Sequence, residues 1–410
     1  MNILHVVAGD LSGGAARGAY WLHLALLKKN IDSNILTNSI NYPNKKKIYS
    51  LSKTIFYRIL LPIKNRSAEI SKLKYINRNS HPFNTGFDGI DITKNVLYKN
   101  ADIVNFHWIN GLVNIDAMKK INKPLVWTIR DMWPMTGGCH HVNINCERFK
   151  KKCGVCPHLN SKKFEDLSYK ILQNKIKSYP LKNLTIVGIS NWILQKAKNS
   201  NIFKNVPIHL ISNGLDQKVF FPTEKKKIKN KFNLPSNCKI LLVGAQDLSD
   251  SYKGFDLFLE SLKKIKSLNI HILSFGEMRN LKIDGFNHTN LGFIKNDKLM
   301  REIYSAADAY ISPSLIESFG KSVLEAMACG TPSVIFDNTG STDIVTHKID
   351  GYVSKFKNTT DLAKGIDWVL NTRNNKKLSK NAIRKVTTKF NINQIAADYK
   401  KLYINILKKY

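Results

Sequence analysis

The chain has 410 residues, 43% of them hydrophobic and 23% charged, and its 64 Lys and Arg against 30 Asp and Glu give a formal net charge of +34. This composition is that of an ordinary globular protein, and the length is sufficient to bury the cores of two domains. No apolar run approaches the length that crosses a bilayer, and Asp10 interrupts any signal-like apolar core, so we expect a cytoplasmic protein. The charge predicts attraction to polyanions, either nucleic acid or an anionic membrane surface.

Strand-like and helix-like segments alternate along the chain in two rounds, which predicts an α/β architecture with parallel sheets. In the first round a helix is expected at Ala15–Lys29, and strands are expected at Ile3–Val7, Ile103–Trp108, Leu125–Ile129, Leu184–Ile189 and Ile208–Ile211. The second round predicts, in order, a strand at Ile240–Val243, a helix at Gly254–Lys266, a strand at Ile270–Leu273, a helix at Leu299–Ala307 and strands at Asp308–Ser312 and Ser333–Phe336. Two halves of similar length that meet near 215–222 indicate two Rossmann-like domains, and residues 392–410 have a helical pattern.

The segment Lys45–Arg78 concentrates the charge, with ten basic residues and a single acidic one, Glu69. Apolar residues recur there at steps of three and four from Ile48 to Ile63, a pattern that suits a helix lying in a membrane interface. We expect Pro62 to end or kink that helix. The alternative is a surface helix that packs its apolar side onto its own domain, and the sequence leaves both open.

Gly13 and Gly14 lie between the first strand and the first helix, where backbone amides can approach a phosphate. A dinucleotide site would also need an acidic residue at the end of the second strand to bind a ribose. That strand ends near Thr37 and Asn38, which argues against NAD. A simple tight turn is the alternative for the two glycines.

Four cysteines occur within eighteen residues with the spacing C-x6-C-x6-C-x2-C, namely Cys139, Cys146, Cys153 and Cys156. Four thiolates complete a tetrahedral zinc shell, and the C-x2-C end has the spacing of a zinc knuckle. A reducing cytoplasm disfavours disulfides. We therefore expect a structural zinc without a catalytic role, with unligated thiols as the alternative; further candidate ligands are His140, His141 and His158.

The segment Ser312–Pro332, SPSLIESFGKSVLEAMACGTP, predicts a strand, a sharp turn and a short helix. Glu317 lies in the turn and Glu325 in the helix, with seven residues between them. Backbone N–H groups of residues 320–322 are expected to be free at the helix N-terminus, where they would stabilise an anion. Two carboxylates beside an anion site suit a ligand that carries both phosphate and hydroxyl groups, such as a nucleotide sugar. The alternative is an ordinary strand–helix crossover whose acids are merely solvated.

This segment resembles the Glu-x7-Glu motif of the retaining glycosyltransferases called group 1 or family 4, which have the two-domain GT-B fold. The resemblance implies two facing Rossmann-like α/β domains with an interdomain cleft. It implies an acceptor-side domain of residues 1–215, which includes the basic segment 45–78 and the Cys-rich loop 139–156. A nucleotide-sugar-binding domain would span residues 216–390, and a helix at 391–410 would return to the first domain.

The same resemblance assigns roles to single residues. Glu317 would bind hydroxyls of the donor sugar, and Glu325 would bind the ribose of the nucleotide. Gly14 would lie near the donor phosphate. Backbone groups facing the sugar and phosphates would come from Ser318, Phe319, Gly320 and Lys321.

The loop Gly244–Gly254, GAQDLSDSYKG, resembles the family's loop that delivers a lysine to the donor diphosphate, and Lys253 matches that lysine. Tyr252 and Gln246 stand where many relatives have basic residues, so Lys321 would supply the missing charge. A surface lysine without function is the alternative for Lys253.

The segment Trp127–His141, WTIRDMWPMTGGCHH, resembles a signature of capsule-, exopolysaccharide- and colanic-acid-type members, in which His-Asp precedes Met-Trp. Arg130 replaces that histidine here. A guanidinium supplies charge but does not relay a proton at neutral pH, so Asp131 would orient the acceptor. An Arg–Asp pair of purely structural value is the alternative.

The resemblance implies a glycosyltransferase that moves a sugar from a nucleoside diphosphate sugar to a hydroxyl of a lipid-linked saccharide. The pathway would be bacterial capsule, O-antigen or exopolysaccharide assembly, and the enzyme would be peripheral at the inner face of the cell membrane. Catalysis would depend on Lys253, Glu317, Asp131 and Arg130, with no required cofactor and no bound nucleic acid. Because the chain has no Asp-x-Asp motif, Lys253, Lys321 and a helix N-terminus would meet the charge of the leaving group. The alternatives are a basic nucleic-acid-binding protein, or a nucleotide-sugar epimerase or phosphorylase with the same fold.

Overall fold

The structure is a computed structural model that describes residues 1–40, 46–51, 55–267, 269–278 and 283–410. The chain divides into two compact units. Unit 1 comprises Met1–Gly214 together with Ile392–Tyr410, and unit 2 comprises Leu215–Asn391. Lys45, the first residue of the predicted basic segment, lies outside the described residues. Within the described residues, no helix is long and apolar enough to cross a bilayer.

Unit 1 is built on a parallel sheet with helices in the connections. Its strands are β1 (Asn2–Val6), β2 (Asp32–Thr37), β3 (Ile48–Ser50), β4 (Ile103–Phe106), β5 (Leu125–Ile129), β6 (Leu184–Gly188) and β7 (Ile208–Leu210). Its helices are α1 (Gly14–Lys28), α2 (Ile55–Leu73), α3 (Val96–Asn100), α4 (Leu167–Ser178), α5 (Asn191–Lys198) and the last helix of the chain, α12 (Ile392–Leu407).

The sheet of unit 1 has the order β3-β2-β1-β4-β5-β6-β7, and every paired strand is parallel. Strands β4, β5 and β6 are buried along their whole length, as expected for a sheet covered on both faces. The strand order reverses direction between β1 and β4, so the loops after these two strands part at the carboxyl edge of the sheet. In open α/β sheets such a switch point is where ligands bind.

Helix α12 packs within unit 1, and its buried tyrosines reach two strands of the sheet. The Tyr403 hydroxyl accepts a hydrogen bond of 2.6 Å from Asn105 Nδ2, and Tyr399 Oη lies 3.0 Å from Thr128 Oγ1. Both tyrosine rings are almost fully buried. The C-terminal segment is therefore part of the core of unit 1.

Helix α2 has one face against unit 1 and another in solvent. Ala68 and Lys72 are buried, and the Lys72 ammonium donates to Phe83 O at 2.9 Å. At about 100° per residue the opposite side forms a stripe within an arc of about 80°. We call this stripe the α2 outer face; its residues, all exposed, are Ile59, Ile63, Arg66, Ile70 and Leu73.

The structure corrects one expectation for this segment and decides part of another. Helix α2 runs through Pro62, so of the two expected effects of this proline, a helix end or a kink, the helix end does not occur. Residues 48–50, which the apolar pattern placed in the helix, form the edge strand β3 beside β2. In a strand of three residues, the alternation of apolar and polar side chains is too short to be distinguished from helical spacing. Its pairing with β2 is what identifies these residues as a strand.

Unit 2 repeats the same architecture with a smaller sheet. Its strands are β8 (Lys239–Asp247), β9 (Ile270–Glu277), β10 (Asn287–Asn290), β11 (Ala309–Ser312), β12 (Ser333–Phe336) and β13 (Gly351–Ser354). Its helices are α6 (Lys225–Lys231), α7 (Phe255–Leu262), α8 (Asp297–Ala306), α9 (Lys321–Ala328), α10 (Thr359–Leu370) and α11 (Thr372–Lys389).

The sheet of unit 2 has the order β10-β9-β8-β11-β12-β13 with parallel pairing throughout. Its switch point lies between β8 and β11, the strands that precede the lysine loop and the Glu-x7-Glu segment. Strand β8 is longer than predicted because it continues past Gly244 through an irregularity in its register with β9. The predicted α/β class with two Rossmann-like parallel sheets is confirmed.

Candidate functional site

Lys253 and Glu317 meet at the switch point of unit 2. Lys253 follows β8 and Glu317 follows β11, and Lys253 Nζ lies 3.3 Å from Glu317 Oε2. Both side chains are only partly exposed, with 32% of Lys253 and 24% of Glu317 accessible. The charge of Glu317 raises the pKa of Lys253 above the ordinary lysine value, so the ammonium stays charged at neutral pH.

Backbone contacts hold the two loops together. The Leu315 N–H donates to Tyr252 O at 2.8 Å, which joins the residues that flank the ion pair. Gly254 has a φ of +64°, and a Cβ there would lie 2.1 Å from Pro313 O. Only glycine permits this close approach, and so it sets the distance between Lys253 and the Glu317 loop.

The turn before α9 also requires glycine. Gly320 has a φ of +93°, and a Cβ on it would lie 2.2 Å from Ser341 Oγ. Its N–H donates to Glu317 Oε1 at 3.2 Å. The expectation that this N–H is free was therefore wrong, because the carboxylate three residues earlier folds back over the helix N-terminus and accepts from it.

Glu325 lies on α9 and is 5% exposed. Its Oε1 is 3.2 Å from Lys321 Nζ, one helical turn earlier, and its Oε2 accepts a hydrogen bond of 3.1 Å from the Tyr304 hydroxyl. A ribose at Glu325 would therefore compete with Lys321 for this carboxylate. Burial, followed by the charge of Glu325, holds the pKa of Tyr304 well above its usual range.

Ser318 and Phe319 pack against the loop that contains Gly340. A Cβ at Gly340 would be 2.2 Å from Ser318 O and 2.7 Å from Phe319 N, and the Gly340 N–H donates to Glu317 O at 2.7 Å. The Phe319 ring packs on Phe390 with 6.0 Å between centroids. Both residues stabilise the turn that carries Glu317.

In unit 1, Asp131 pairs with a histidine that sequence reasoning regarded only as a reserve metal ligand. Asp131 Oδ2 lies 2.6 Å from His140 Nδ1 and accepts a hydrogen bond of 2.9 Å from Trp108 Nε1. His140 Nε2 lies 2.7 Å from Asn84 Oδ1, so both ring nitrogens have partners. Burial acts to raise the pKa of Asp131, but the charge and hydrogen bond of His140 outweigh it, and the pKa lies below the usual aspartate value.

Arg130 points away from Asp131. Its guanidinium donates to Asn213 Oδ1, and its Nη2 lies 3.1 Å from His107 Nδ1. The structural Arg–Asp pair, the alternative that the sequence left open, is therefore not formed: Arg130 contacts Asn213 and His107, and Asp131 contacts His140 and Trp108. Arg130 is 8% exposed, and burial lowers its pKa to about 10, so it remains a cation at neutral pH.

A chain of buried imidazoles continues from Arg130. Because Arg130 donates to His107 Nδ1, the proton of His107 is on Nε2, which lies 3.0 Å from His5 Nδ1. Burial lowers the pKa of both histidines well below the usual value, so both rings are neutral. His107 directly follows β4 at the same edge as Arg130, and this strand-end position was the signal available in the sequence.

Gly14 is the first residue of α1, with Gly13 as its N-cap. Among the described residues, none lies within 4 Å of a Cβ built at either position. Packing in this part of the structure therefore does not require glycine there.

The four clustered cysteines line one small cavity in unit 1. All are free thiols, and burial raises the pKa of three of them: Cys139, Cys153 (to about 12) and Cys156. Among the described residues, no group of three or more His, Cys, Asp or Glu side chains is already arranged to hold a metal ion.

Comparison with known proteins finds similarity to glycosyltransferases, which is concentrated in unit 2. Residues 224–386 match the family model described as Glycosyl transferases group 1. An uncharacterized glycosyltransferase of Methanocaldococcus jannaschii is 32% identical over 162 residues, 37% of this chain and 41% of that protein. The N,N'-diacetylbacillosaminyl-diphospho-undecaprenol alpha-1,3-N-acetylgalactosaminyltransferase of Campylobacter jejuni is 31% identical over 222 residues, 52% of this chain and 57% of that protein.

The extent of these matches differs among the relatives. With 41%, 57% and 48% of the first three proteins matched, the chain spans about half the length of these curated relatives. WcaC of Escherichia coli, named for colanic acid biosynthesis, is 21% identical over 365 residues, 84% of this chain and 85% of that protein.

Solved structures share the fold along the chain. Sucrose-phosphate synthase from Thermosynechococcus elongatus has a TM-score of 0.70 at 18% identity and covers 100% of both chains. Anabaena HepE in complex with UDP-glucose has a TM-score of 0.67 at 14% identity, covering 99% of this chain and 100% of that one. At these identities the likeness concerns the fold alone. The match of residues 224–386 to the glycosyl transferases group 1 model agrees with the resemblance that the Glu-x7-Glu segment and the lysine loop indicated.

Proposed function

We propose that this protein transfers a sugar from a nucleoside diphosphate sugar to a hydroxyl group of an acceptor, with retention of the anomeric configuration. The observation that carries the proposal is the Lys253–Glu317 pair at the switch point of a group 1 domain. An ammonium and a carboxylate 3.3 Å apart offer one group to a diphosphate and the other to sugar hydroxyls. Neither group is so exposed that solvent would cancel its charge.

In the proposed reaction, the bond from the anomeric carbon to the diphosphate oxygen breaks while the acceptor oxygen bonds to the same face of that carbon. The acceptor proton passes to the departing phosphate oxygen, so no protein nucleophile is needed. Lys253, Lys321 and the start of α9 stabilise the charge that develops on the diphosphate. The protein contributes position and electrostatics.

Unit 1 offers the Asp131–His140 pair for the acceptor. A carboxylate held by an imidazole and an indole N–H has a fixed orientation and a stable negative charge. Arg130 is assigned a positioning role, because its guanidinium is occupied by Asn213 and His107. Asp131 is therefore the group proposed to orient the acceptor hydroxyl.

The donor site is tested by a thermal-shift screen of nucleoside diphosphate sugars. The donor that stabilises the native chain should lose this effect in Lys253→Ala and Glu317→Ala. Lys227→Ala is the matched control, because Lys227 forms an exposed ion pair with Glu224 elsewhere in unit 2. Stabilisation that persists in both site variants would refute the assignment. NMR of the product with the active donor reports the anomeric configuration, and an epimerase would convert the donor without an acceptor.

We further propose that the acceptor is a lipid-linked saccharide of surface polysaccharide assembly, such as capsule or O-antigen, at the inner face of the cell membrane. The names of two relatives support this, one for an undecaprenol-linked substrate and the other for colanic acid biosynthesis. The α2 outer face supports it independently: four exposed Ile and Leu side chains surround Arg66 on a chain of net charge +34. Exposed apolar groups enter a bilayer interface while arginine pairs with anionic headgroups.

Flotation with anionic liposomes tests the membrane proposal. Ile63→Asp combined with Ile70→Asp should release the protein from the vesicles, whereas Val96→Asp should not, since Val96 is 64% exposed but lies outside the α2 outer face. Equal retention of both variants would refute the docking face. Retention on duplex nucleic acid instead of vesicles at moderate salt would favour the alternative of a nucleic-acid-binding protein.

A further inference from the structure

We propose that the four thiols of Cys139, Cys146, Cys153 and Cys156 hold one structural zinc ion in unit 1. They come from positions up to seventeen residues apart, yet they line a single cavity of about 10 Å³. This volume is close to the smallest that admits one water-sized guest. The proposal concerns a metal site and does not depend on the transferase reaction.

Each cysteine reaches the cavity from a differently fixed piece of backbone. Cys139 bridges to Phe83, and Cys146 closes a turn with its N–H on Asn143 O at 2.7 Å. Cys156 donates its N–H to Asp166 Oδ2 at 2.8 Å. Backbone contacts therefore fix the positions from which these cysteines reach the cavity.

The C-x2-C turn has a strained backbone. Cys153, Gly154 and Val155 have φ values of +56°, +88° and +44°, three left-handed residues in succession. For a β-branched residue such as Val155 this conformation is an outlier, and it is unfavourable for Cys153 as well. Strain of this kind persists where the surroundings hold it, and it is found preferentially at ligand sites.

The surroundings of this turn do hold it. The N–H groups of Cys153, Gly154 and Val155 donate to Arg148 O, Ser168 Oγ and Lys163 O at 3.0, 3.0 and 2.9 Å. A Cβ at Gly154 would lie 2.0 Å from Phe164 O. The turn thus brings the last two thiols of the set to the same cavity.

The chemistry of the cavity selects the ion. Its wall contains four sulfurs and no carboxylate, which suits zinc and does not suit magnesium or calcium. Among the described residues the four side chains are not arranged as a metal-binding group, so a bound ion would require them to reorient.

The surrounding charges are compatible with this ion. On binding, each thiol releases its proton to solvent, and four thiolates with Zn²⁺ carry a net charge of −2. Arg148 lies in the cavity wall, and Lys175 is fully buried nearby, with its ammonium donating to Thr136 O at 3.0 Å. The Arg148 guanidinium in the wall would offset part of the charge of the filled site.

The ion would also position the acceptor-side residues. Cys139 immediately precedes His140, whose ring holds Asp131. A metal on Cys139 fixes the backbone at that point, so loss of the ion should loosen the Asp131–His140 pair without removing either residue.

The test is metal analysis of the full-length chain purified without chelator. We expect one zinc per chain by mass spectrometry, and replacement by Co²⁺ should give the absorption of a tetrahedral thiolate complex. Cys153→Ser should lose the metal, whereas Cys238→Ser, in unit 2, should keep it. His158→Gln should also keep it, although His158 Nε2 has no hydrogen-bond partner among the residues that the structure describes and its ring lines the cavity.

Several outcomes would overturn the proposal: a native chain with less than about a tenth of an equivalent of zinc that takes up no cobalt, zinc that persists in Cys153→Ser, or intact-mass data that reveal disulfides among these cysteines. If Cys153→Ser does not fold, the cobalt spectrum of the native chain decides, because a complex with oxygen or nitrogen ligands lacks the sulfur charge-transfer band. If His158→Gln keeps the metal, this histidine is not a ligand. If it loses the metal, the site does not consist of the four thiols alone, and the proposed ligand set is wrong.

Discussion

The Lys253–Glu317 pair makes opposite predictions for its two members. In the absence of donor, Glu317 neutralises the lysine that a diphosphate would need. Lys253→Met should therefore weaken the binding of a nucleoside diphosphate, whereas Glu317→Gln should leave it unchanged or tighten it. Glutamine keeps the oxygen that accepts from the Gly320 N–H, so the turn is preserved.

The magnitudes follow from the geometry. A hydrogen bond between charged groups contributes about 1.5–3 kcal/mol, so Lys253→Met should raise the Kd about 10- to 150-fold. At 3.3 Å and an effective dielectric constant of about 20, the pair has a Coulomb energy of about 5 kcal/mol before desolvation and screening. Both groups are partly exposed, so the net value is about 1 kcal/mol, and its removal in Glu317→Gln should tighten the diphosphate about fivefold.

Isothermal titration calorimetry with the nucleoside diphosphate and with the intact nucleotide sugar measures both effects. Glu317→Gln should weaken only the intact donor, since only that ligand presents sugar hydroxyls. Lys227→Met provides the control for removal of a lysine charge from unit 2. If Glu317→Gln weakens the free diphosphate as much as Lys253→Met does, the competition between Glu317 and the diphosphate is refuted.

Three further changes test other parts of the structure. Gly320→Ala should lower the free energy of unfolding by about 2–3 kcal/mol, because of the positive φ and the contact with Ser341, and should lower the Tm of unit 2 by roughly 4–10 °C. Gly285→Ala is the control and should cost only about 1 kcal/mol, because Gly285 has a φ of +77° but no described residue lies within 4 Å of a Cβ there. Asp131→Asn should lower kcat about 100-fold in a transfer assay and leave the donor Kd unchanged; an equal loss of donor affinity would contradict its acceptor-side role. Burial lowers the pKa of His23 from 6.5 to about 4. Between pH 7 and pH 5 the unfolded chain therefore takes up a proton at His23 and the folded chain does not, so the free energy of unfolding should fall by about 2 kcal/mol. This loss should be absent from urea unfolding curves of His23→Asn, and an unchanged pH dependence would show that other groups are responsible.

Several features of the site were predictable from the order of strands and loops. Parallel strands end at the same edge of a sheet, so the loops that follow two neighbouring strands lie close together. That rule places Lys253 near Glu317, and it would also have placed His107 near Arg130. The Glu-x7-Glu spacing indicated a turn and a helix without any knowledge of packing.

Hydrophobic periodicity is a local property of the chain, so the order of strand-like and helix-like segments was sufficient to predict two parallel sheets. Which side chains contact each other could be read only from the folded chain. Arg130 and Asp131 are neighbours in sequence, yet one contacts His107 and the other His140. The sequence likewise did not show which side of α2 is exposed. The position of the helix on unit 1 decides this, because it buries Ala68 and leaves Ile63 in solvent. Partner choice depends on distances between segments remote in sequence, and periodicity carries no information about those distances.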